Sequence, residues 1–392
     1  MVVAIVGGQL YYNRGGINYF SPLNFKYLSQ WTPLFDRVRL LVTRVESAKM
    51  SSDWVPIPTE YDVREISIFD LGPYARRRVI LERAKEHLKG VSLLYARGPN
   101  YESYYTFCFA RKRGIPLLYE MHGDWETSVL SEQSNNLIRV ITRRLRAGLV
   151  RNLQARMGRE AIAVISIGPA LAEKYVPSGK PVLISTNHHI DENQFVCRQD
   201  YVLNKQPKIL FVGVLNYYKG LKFLFGALRL LKKEGRSFEM ILVGSGLQES
   251  SLKNYARQHG LLDSIKFVGK ISFSEVMSYY RKADLFVLPS VGGEGVPRVI
   301  QEAFSCGCPV LATDVGSVAW QLEGGAGIVV PPRSETALAE NIKRLFDDES
   351  FRRSIGEAGY ARGLEFTFEK QACRIADFVK KYVPKNLPKV EI

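Results

Sequence analysis

Short apolar runs alternate with helical patterns along almost the whole chain, and this alternation limits the folds open to it. The runs are VVAIVGG, VRLLVTR, VSLLYARG, IPLLYEMHG and AIAVISIG, then KILFVGVL, FEMILVGSG, SIKFVGK, ADLFVLPS, CPVLATDVG and GIVVPP. Strands that alternate with helices build parallel sheets from β-α-β units. The rhythm weakens into a polar stretch near residues 186–207, so the sequence predicts two doubly wound α/β domains, 1–190 and 191–369. The final helix and tail, 370–392, could pack against either domain.

The length of 392 residues and the 46% of hydrophobic side chains suit a globular protein of two domains, each with its own core. The opening stretch MVVAIVGG resembles a strand and lacks the basic region and cleavage site of a signal peptide. Glycine turns at Gly7–Gly8 and Gly15–Gly16 and a helical stretch from about Tyr19 are expected after it. No run of about 18 apolar residues indicates a membrane-spanning helix. Five scattered cysteines form no disulfide framework. We therefore expect a cytoplasmic protein.

A net charge of +15 predicts an anionic partner. The stretch 137–159 contains seven arginines and no acidic residue, and apolar residues recur near every fourth position: Leu137, Ile141, Leu145, Leu149, Leu153 and Met157. This pattern predicts a basic amphipathic helix. It is typical either of a core-facing helix with a solvated charged face or of a helix lying on an anionic membrane surface, here the inner face of the cell membrane. We expect no nucleic-acid partner, because the chain lacks the corresponding signatures.

The stretch GGEGVPRVIQEAFSCGCPVLATDVG, residues 292–316, predicts a strand followed by a Gly-rich loop and a helix. Pro297 suits the first helical position and Gly307 the C-terminal cap. A glycine loop before a helix favours phosphate, and Glu294 and Glu302 could then accept hydrogen bonds from sugar and ribose hydroxyls. The spacing alone leaves another interpretation open, in which Glu302 only pairs with Arg298 and Glu294 only lies near the helix dipole.

Further motifs occur in a fixed order around this stretch: YYNRGGINYF, LLYEMHGDW, ILFVGVLNYYKGLKFLFGAL and MILVGSG. Together with the two glutamates seven residues apart, they resemble the retaining glycosyltransferases of group 4, the glycosyl transferases group 1 family. The resemblance covers nearly the whole chain and implies the GT-B architecture, two Rossmann-like domains facing across a cleft. The N-terminal domain would bind a glycan or lipid-linked acceptor and the C-terminal domain a nucleotide-diphosphate sugar. Family members transfer the sugar with retained configuration and without metal or another cofactor.

The resemblance also implies roles for individual residues. Glu294 would hold hydroxyls of the donor sugar, Glu302 the ribose, and Lys219 would counter the charge of the departing diphosphate. His122 would face the reacting sugar. The remaining donor-binding positions implied by the family motifs are Gly15, Gly16, Gly213, Gly295, Val296, Pro297 and Arg298.

Two positions depart from the family pattern. Val214 stands where the family commonly has arginine, so one diphosphate contact is missing or comes from Arg298, Arg97 or Arg14. The sequence HHID at 188–191 replaces the usual Asn-Gly-Val-Asp. A non-catalytic subunit that binds a nucleotide or glycan therefore stays open, as does a sugar-nucleotide epimerase on the same fold.

Several polar and aromatic residues have a structural and a functional interpretation. Tyr11, Tyr12 and Trp125 could stack on acceptor sugars or pack in a core, and Arg97 could contact an anionic acceptor. His188 and His189 with Asp191 could suggest a metal site, but adjacent side chains in an extended segment point to opposite faces. Cys306 and Cys308 lack a second cysteine pair to complete a zinc site. We expect no metal.

Overall fold

The computed structural model describes residues 1–21, 26–28, 32–45, 54–68, 73–130, 137–186, 190–203, 205–384 and 387. It divides into two compact units, Met1–Ser185 with Ala372–Ile392, and Thr186–Gln371. The division falls at the start of the polar stretch, a few residues before the predicted boundary between 190 and 191. His188 and His189 lie outside the described residues.

The first unit is built on one sheet whose parallel strands follow the order β5-β3-β1-β6-β7-β8-β9, with β2 and β4 added antiparallel at one end of β1. The strands are β1 Val2–Arg14, β2 Ile17–Phe20, β3 Arg37–Arg44, β4 Val55–Pro56, β5 Asp62–Ile68, β6 Leu93–Gly98, β7 Leu117–Met121, β8 Ala163–Ile167 and β9 Val182–Ser185. The helices are α1 Pro73–His87, α2 Tyr101–Lys112, α3 Trp125–Leu130, α4 Leu137–Glu160 and α5 Pro169–Tyr175.

The N-terminal strand differs from its prediction. A turn is expected at Gly7–Gly8, but β1 continues to Arg14 after a register shift between Val6 and Leu10. Gly15 and Gly16, with φ of 59° and 84°, then form a two-residue turn, which suits a tight hairpin. The helical stretch expected from about Tyr19 does not begin there, since Ile17–Phe20 pair with β1 as strand β2. The described residues 26–28 are helical.

The second unit contains a sheet of six described strands, all parallel, in the order β12-β11-β10-β13-β14-β15. The strands are β10 Lys208–Val212, β11 Glu239–Val243, β12 Ile265–Gly269, β13 Leu285–Leu288, β14 Val310–Thr313 and β15 Ile328–Val330. The helices are α6 Leu221–Lys233, α7 Glu249–Gln258, α8 Phe273–Lys282, α9 Arg298–Phe304, α10 Val318–Gln321, α11 Glu335–Asp347 and α12 Glu349–Leu364. The strand order reverses between β10 and β13, which makes this the topological switch point of a Rossmann-like sheet.

The C-terminal helix α13, Phe368–Tyr382, supplies part of the core of the first unit. Its buried side chains Ile375, Phe378 and Val379 pack with residues of the strands β1 and β3. The prediction left open which domain this helix joins, and the division assigns its residues from Ala372 onward to the first unit. None of the described helices combines the length and apolarity needed to cross a membrane.

The helix α9 begins one residue later than predicted. Pro297 is the N-cap, with φ −66° and ψ 122°, and lies outside the helix. Gly307, with φ 58°, ends the helix as predicted: its N–H donates to the carbonyl of Phe304, and the N–H of Cys308 donates to that of Ala303. This pair of bonds is a Schellman motif, which requires the left-handed conformation that glycine adopts at low cost.

Gly220 joins the loops that follow β10 and β13. Its φ is 64°, and a Cβ placed on it would lie 1.9 Å from the carbonyl oxygen of Pro289. The N–H of Val291 donates to the carbonyl of Tyr218 across the same contact, at 2.7 Å. A side chain at position 220 would therefore separate the two loops.

We expect Gly220→Ala to lower the free energy of unfolding by about 2–5 kcal/mol, because it adds a steric clash to the cost of positive φ. Gly235→Ala is the matched control, since Gly235 has φ 75° and no heavy atom within 4 Å of its ideal Cβ. The control should lose only about 1–2 kcal/mol. Urea denaturation measures both, and equal losses would contradict the close loop contact.

Candidate functional site

Four loops meet at the carboxyl edge of the sheet in the second unit. They span residues 213–220 after β10, 244–246 after β11, 289–297 after β13 and 314–317 after β14. Open parallel sheets bind ligands outside the carboxyl ends of their strands, at the switch point. In this unit the switch point lies between β10 and β13, so the loops that follow these two strands are the first place to look for a site.

Backbone contacts lock these loops together. The N–H of Leu215 donates to the carbonyl of Ser245, and the N–H of Ser317 to that of Gly295, both at 3.0 Å. Gly316 has φ 60°, and a Cβ on it would lie 2.0 Å from the carbonyl oxygen of Glu294. The segment that carries Glu294 is thus held by the loops on both sides of it.

Lys219 and Glu294 form an ion pair within this group of loops. The Lys219 Nζ lies 2.6 Å from Glu294 Oε1, and the two side chains are 11% and 7% exposed. Ser290 Oγ donates to the same carboxylate oxygen at 2.5 Å. Among the described residues both recorded donors bind Oε1, which leaves Oε2 for a hydroxyl of a ligand.

The position of Lys219 follows from local structure. It is the last residue of a short 3₁₀ helix, Tyr217–Lys219, that Gly220 ends in the left-handed conformation. Its ammonium carries three N–H donors, so it can hold Glu294 and an anionic ligand together. Its desolvation is offset by the carboxylate, as a buried charge requires.

Glu302 lies in α9 and is 8% exposed. Its Oε2 accepts a hydrogen bond from the hydroxyl of Tyr280, at 3.0 Å. Burial, together with the carboxylate, raises the pKa of Tyr280 well above its usual range, so this phenol stays a donor. Pairing with Arg298 alone therefore does not account for Glu302.

The other predicted donor-binding positions of the second unit occupy the same edge. Gly213 follows β10 and lies beside Lys219, and Val296 is buried in the loop after β13. The helix α9 that follows has seven residues, too few for its N-terminus to form an anion site by itself. The phosphate prediction therefore depends on Lys219 and the loop backbone. Gly295 and Pro297 lie in the loop after β13, and the exposed Arg298 is the first residue of α9. Val214, in the loop after β10, is 49% exposed.

The predicted residue His122 belongs to a second cluster, at the carboxyl ends of β6 and β7 in the first unit. Its Nε2 lies 2.6 Å from Glu120 Oε1 and 3.1 Å from Arg97 Nε. Arginine can only donate, and one ring nitrogen cannot donate and accept at once. The shorter contact makes Nε2–H the donor to Glu120, while Arg97 compensates the same carboxylate at 3.6 Å.

Glu120 is the centre of this cluster and is 2% exposed. The hydroxyl of Tyr27 donates to it and also contacts that of Tyr95. The guanidinium of Arg97 lies 3.5 Å above the Tyr27 ring, and burial lowers the pKa of Arg97. Arg97 is thus held by Glu120 and Tyr27, and contact with an acceptor stays a prediction.

The aromatic candidates are divided between core and surface. Tyr11 is buried in the core of the first unit and donates to Glu65 at 2.7 Å, which favours the packing interpretation. Trp125 packs edge-on against Tyr101 at 4.8 Å. Tyr12 is half-buried in the hairpin whose turn is formed by the exposed Gly15 and Gly16.

The cysteine pair Cys306 and Cys308 lies in the core of the second unit. Cys306 and Cys308 are free and buried, and burial raises the pKa of the Cys308 thiol to about 12. Across the described residues, no group of three or more histidine, cysteine or acidic side chains is arranged to hold a metal ion.

Sequence reasoning missed four side chains that hold the predicted ones: Glu120, Ser290, Tyr280 and Thr313. Thr313 donates to the carbonyl of Ser290 and so fixes the residue that binds Glu294. Glu120 had a usable signal, because it lies two positions before His122 and alternate residues of a strand share a face. Tyr280 comes from a different helix, and no spacing rule connects it with Glu302.

The family model of glycosyl transferases group 1 matches residues 195–362, a range that contains every candidate residue of the second unit. The chain is 26% identical over 275 residues to the alpha-D-kanosaminyltransferase of Streptomyces kanamyceticus, which covers 66% of this chain and 69% of that protein. Further curated relatives are matched over 13–57% of their own length.

Solved structures match over nearly the full chain. The sucrose-phosphate synthase of Thermosynechococcus elongatus has a TM-score of 0.71 at 19% identity, covering 97% of this chain and 98% of that one. The Anabaena protein HepE in complex with UDP has a TM-score of 0.68 at 19% identity, covering 97% and 99%. The fold is therefore GT-B, with two Rossmann-like α/β domains, which confirms the predicted fold class. The matched family and the relative from Streptomyces kanamyceticus are glycosyltransferases, and the solved neighbours show the fold of this chain alone.

We expect Lys219→Met to destabilise the protein by about 3 kcal/mol, because it leaves the buried carboxylate of Glu294 without its charge partner. Adding Glu294→Gln should recover part of this loss. The control is Lys343→Met, since Lys343 forms an exposed pair with Glu234 at 3.0 Å and should lose less than about 1 kcal/mol. Urea denaturation of the double-mutant cycle gives the coupling, and purely additive losses would argue against a buried ion pair.

Proposed function

We propose that this protein is a retaining glycosyltransferase that moves a sugar from a nucleotide-diphosphate sugar to a glycan or lipid-linked acceptor. The observation that carries the proposal is the Lys219–Glu294 pair at the switch point between β10 and β13. It places a cation and a carboxylate side by side in the loops where a Rossmann-like sheet binds nucleotides.

Each charge then has a task in the reaction. The diphosphate gains negative charge as the bond to the anomeric carbon breaks, and the ammonium of Lys219 stabilises that charge. Glu294 accepts hydrogen bonds from hydroxyls of the donor sugar through Oε2, while Lys219 and Ser290 hold Oε1. Glu302 accepts from the ribose and is kept in place by Tyr280.

The proposed reaction is a front-face displacement, the mechanism that the family resemblance implies. The acceptor oxygen forms its bond to the anomeric carbon on the face that the diphosphate leaves, and the acceptor proton passes to an oxygen of the leaving phosphate. Glu294 has no nucleophilic role in this proposal, because front-face displacement forms no bond between the sugar and the enzyme, and its Oε2 accepts from the donor sugar while Oε1 is held by Lys219 and Ser290. Lys219 supplies the positive charge that a metal would otherwise provide, so we propose a reaction without metal or another cofactor.

The wider role is assembly of a cell-surface polysaccharide or glycolipid at the cytoplasmic side of the membrane. Among the relatives, one is an amylovoran biosynthesis glycosyltransferase of Erwinia amylovora, and one solved neighbour takes part in lipopolysaccharide biosynthesis. HepE has been solved with UDP-glucose. UDP-sugars are therefore the first donors to test.

We expect one class among UDP-, GDP-, ADP- and dTDP-sugars to stabilise the protein in EDTA, by about 2.7 kcal/mol at a hundred times its Kd. Glu302→Gln should reduce this stabilisation, because an amide is a weaker acceptor for the ribose. Glu357→Gln is the control, since Glu357 is an exposed carboxylate of α12. Thermal unfolding measures all three proteins. Equal stabilisation of both variants would remove Glu302 from the donor site.

Turnover tests the catalytic half of the proposal. We expect Glu294→Gln to slow sugar transfer about 100-fold, because the donor sugar loses its orientation. NMR of the product should show the anomeric configuration of the donor, and EDTA should leave the rate unchanged. An inverted product would reject front-face displacement, and a rate lost in EDTA would reject the role given to Lys219. Binding without any turnover would favour the non-catalytic subunit that Val214 leaves open.

A further inference from the structure

The helix α4, Leu137–Glu160, turns an apolar stripe outward. Ile141, Leu145 and Leu149 are 52%, 71% and 56% exposed. The sequence pattern is typical either of a core-facing stripe or of a helix on a membrane surface, and the structure buries a different face of the helix. Within residues 140–160 of the helix, the buried side chains are Ala147, Val150, Gln154 and Met157.

The reason for this orientation is the packing against α3. Ala147 and Val150 form a small apolar cluster with Val129 and Trp125, and Gln154 binds the backbone of Gly123 and Trp125. These contacts fix the rotation of α4 about its own axis. The longer apolar side chains of its first half are consequently left on the surface. Single exposed leucines are ordinary, but packing among the described residues of this unit does not explain a row of three apolar side chains along one helix.

The three side chains form a continuous row. Positions four apart lie one above another on a helix, so residues 141, 145 and 149 span an arc of about 80° and a length of about 12 Å. Exposed arginines border the row, Arg144 and Arg151 on one side and Arg146 on the other.

The charged side chains that the helix itself carries between residues 137 and 159 have one sign. Residues 137–159 contain seven arginines and no acidic residue. The acidic contact recorded for Arg151 comes from another helix, with Glu126 at 3.5 Å, and its side chain is still 53% exposed. An apolar row between guanidinium groups is the pattern of a helix that lies in a bilayer interface. Arginine stems can cover apolar surface while their charges reach lipid phosphates.

We propose that α4 docks this protein on an anionic bilayer, with Ile141, Leu145 and Leu149 inserted at the headgroup boundary and Arg144, Arg146 and Arg151 on lipid phosphates. A second copy of the chain fits the surface less well, because two identical basic faces repel each other. A nucleic acid would leave the apolar row unused. Docking does not depend on the proposed reaction, although it would bring the protein to lipid-linked acceptors.

Vesicle flotation of the full chain tests the proposal, with phosphatidylcholine vesicles compared against mixtures with phosphatidylglycerol. We expect binding to the anionic vesicles only, falling about tenfold with moderate added salt as screening increases. The combined variant Ile141→Ser, Leu145→Ser, Leu149→Ser should lose at least about tenfold in binding, because the apolar row no longer inserts. These positions are on the surface, so the variant should unfold at the same temperature as the wild type.

The controls are drawn from exposed residues elsewhere. Val202→Ser with Leu262→Ser removes two exposed apolar side chains of the second unit and should leave binding unchanged. Arg144→Gln with Arg151→Gln should weaken binding, whereas Arg78→Gln, which changes an 83% exposed arginine of α1, should not. Tryptophan fluorescence of Leu145→Trp should shift to the blue with anionic vesicles as the ring leaves water.

Three results would overturn the proposal. They are failure of the wild type to bind anionic vesicles, equal binding by the triple serine variant, and equal binding to vesicles with and without phosphatidylglycerol. Sedimentation velocity tests the main alternative, in which the row forms an interface between two copies of the chain. A wild-type dimer that the triple variant converts to a monomer would assign the row to an interface between copies.

Discussion

The adjacency of β10 and β13 is the constraint on which the candidate site depends. The two strands are neighbours in the sheet although β11 and β12 lie between them in the chain. Their following loops therefore start side by side, and only then can Lys219 reach Glu294 across 75 positions of sequence. Gly220 and Gly316 make the approach sterically feasible, because a side chain at either position would collide with the neighbouring loop. The site therefore depends on the strand order and on the absence of side chains at Gly220 and Gly316.

Both carboxylates of the site are held by hydrogen-bond donors before any ligand binds. Glu294 is held by Lys219 and Ser290, and Glu302 by Tyr280. Such an arrangement fits electrostatic preorganisation, in which charged groups are already in place when charge develops in the transition state. In the proposed reaction the diphosphate would share Lys219 with Glu294. The strength of that ion pair would then set how readily Lys219 responds to the leaving group.

The first unit also contains a buried carboxylate that neighbouring side chains hold in place. Glu120 is buried, and around it lie the Tyr27 hydroxyl, the ring of His122 and, at the longer distance of an ion pair, the guanidinium of Arg97. The cluster fixes the orientation of the imidazole and engages Arg97, which explains why Arg97 is less available than its place at a strand end indicates. The same unit leaves the apolar row of α4 on the surface, since small residues on the opposite face of that helix make the packing contacts.

The sequence by itself determined the alternation of strands and helices, the two-domain α/β class, the loops that contain Lys219 and Glu294, and the helix that contains Glu302. These are local properties, because strand and helix periods and glycine turns are set by residues close together in the chain. The glycine turn at Gly15–Gly16 was predicted, but the antiparallel pairing of β2 with β1 across it was not, because the register shift that extends β1 to this turn depends on its partner strands. Only the tertiary structure decided that Tyr280 holds Glu302, that Lys219 pairs with Glu294, and which face of α4 is buried. Those outcomes depend on contacts between different elements of the fold, where residue spacing carries no information.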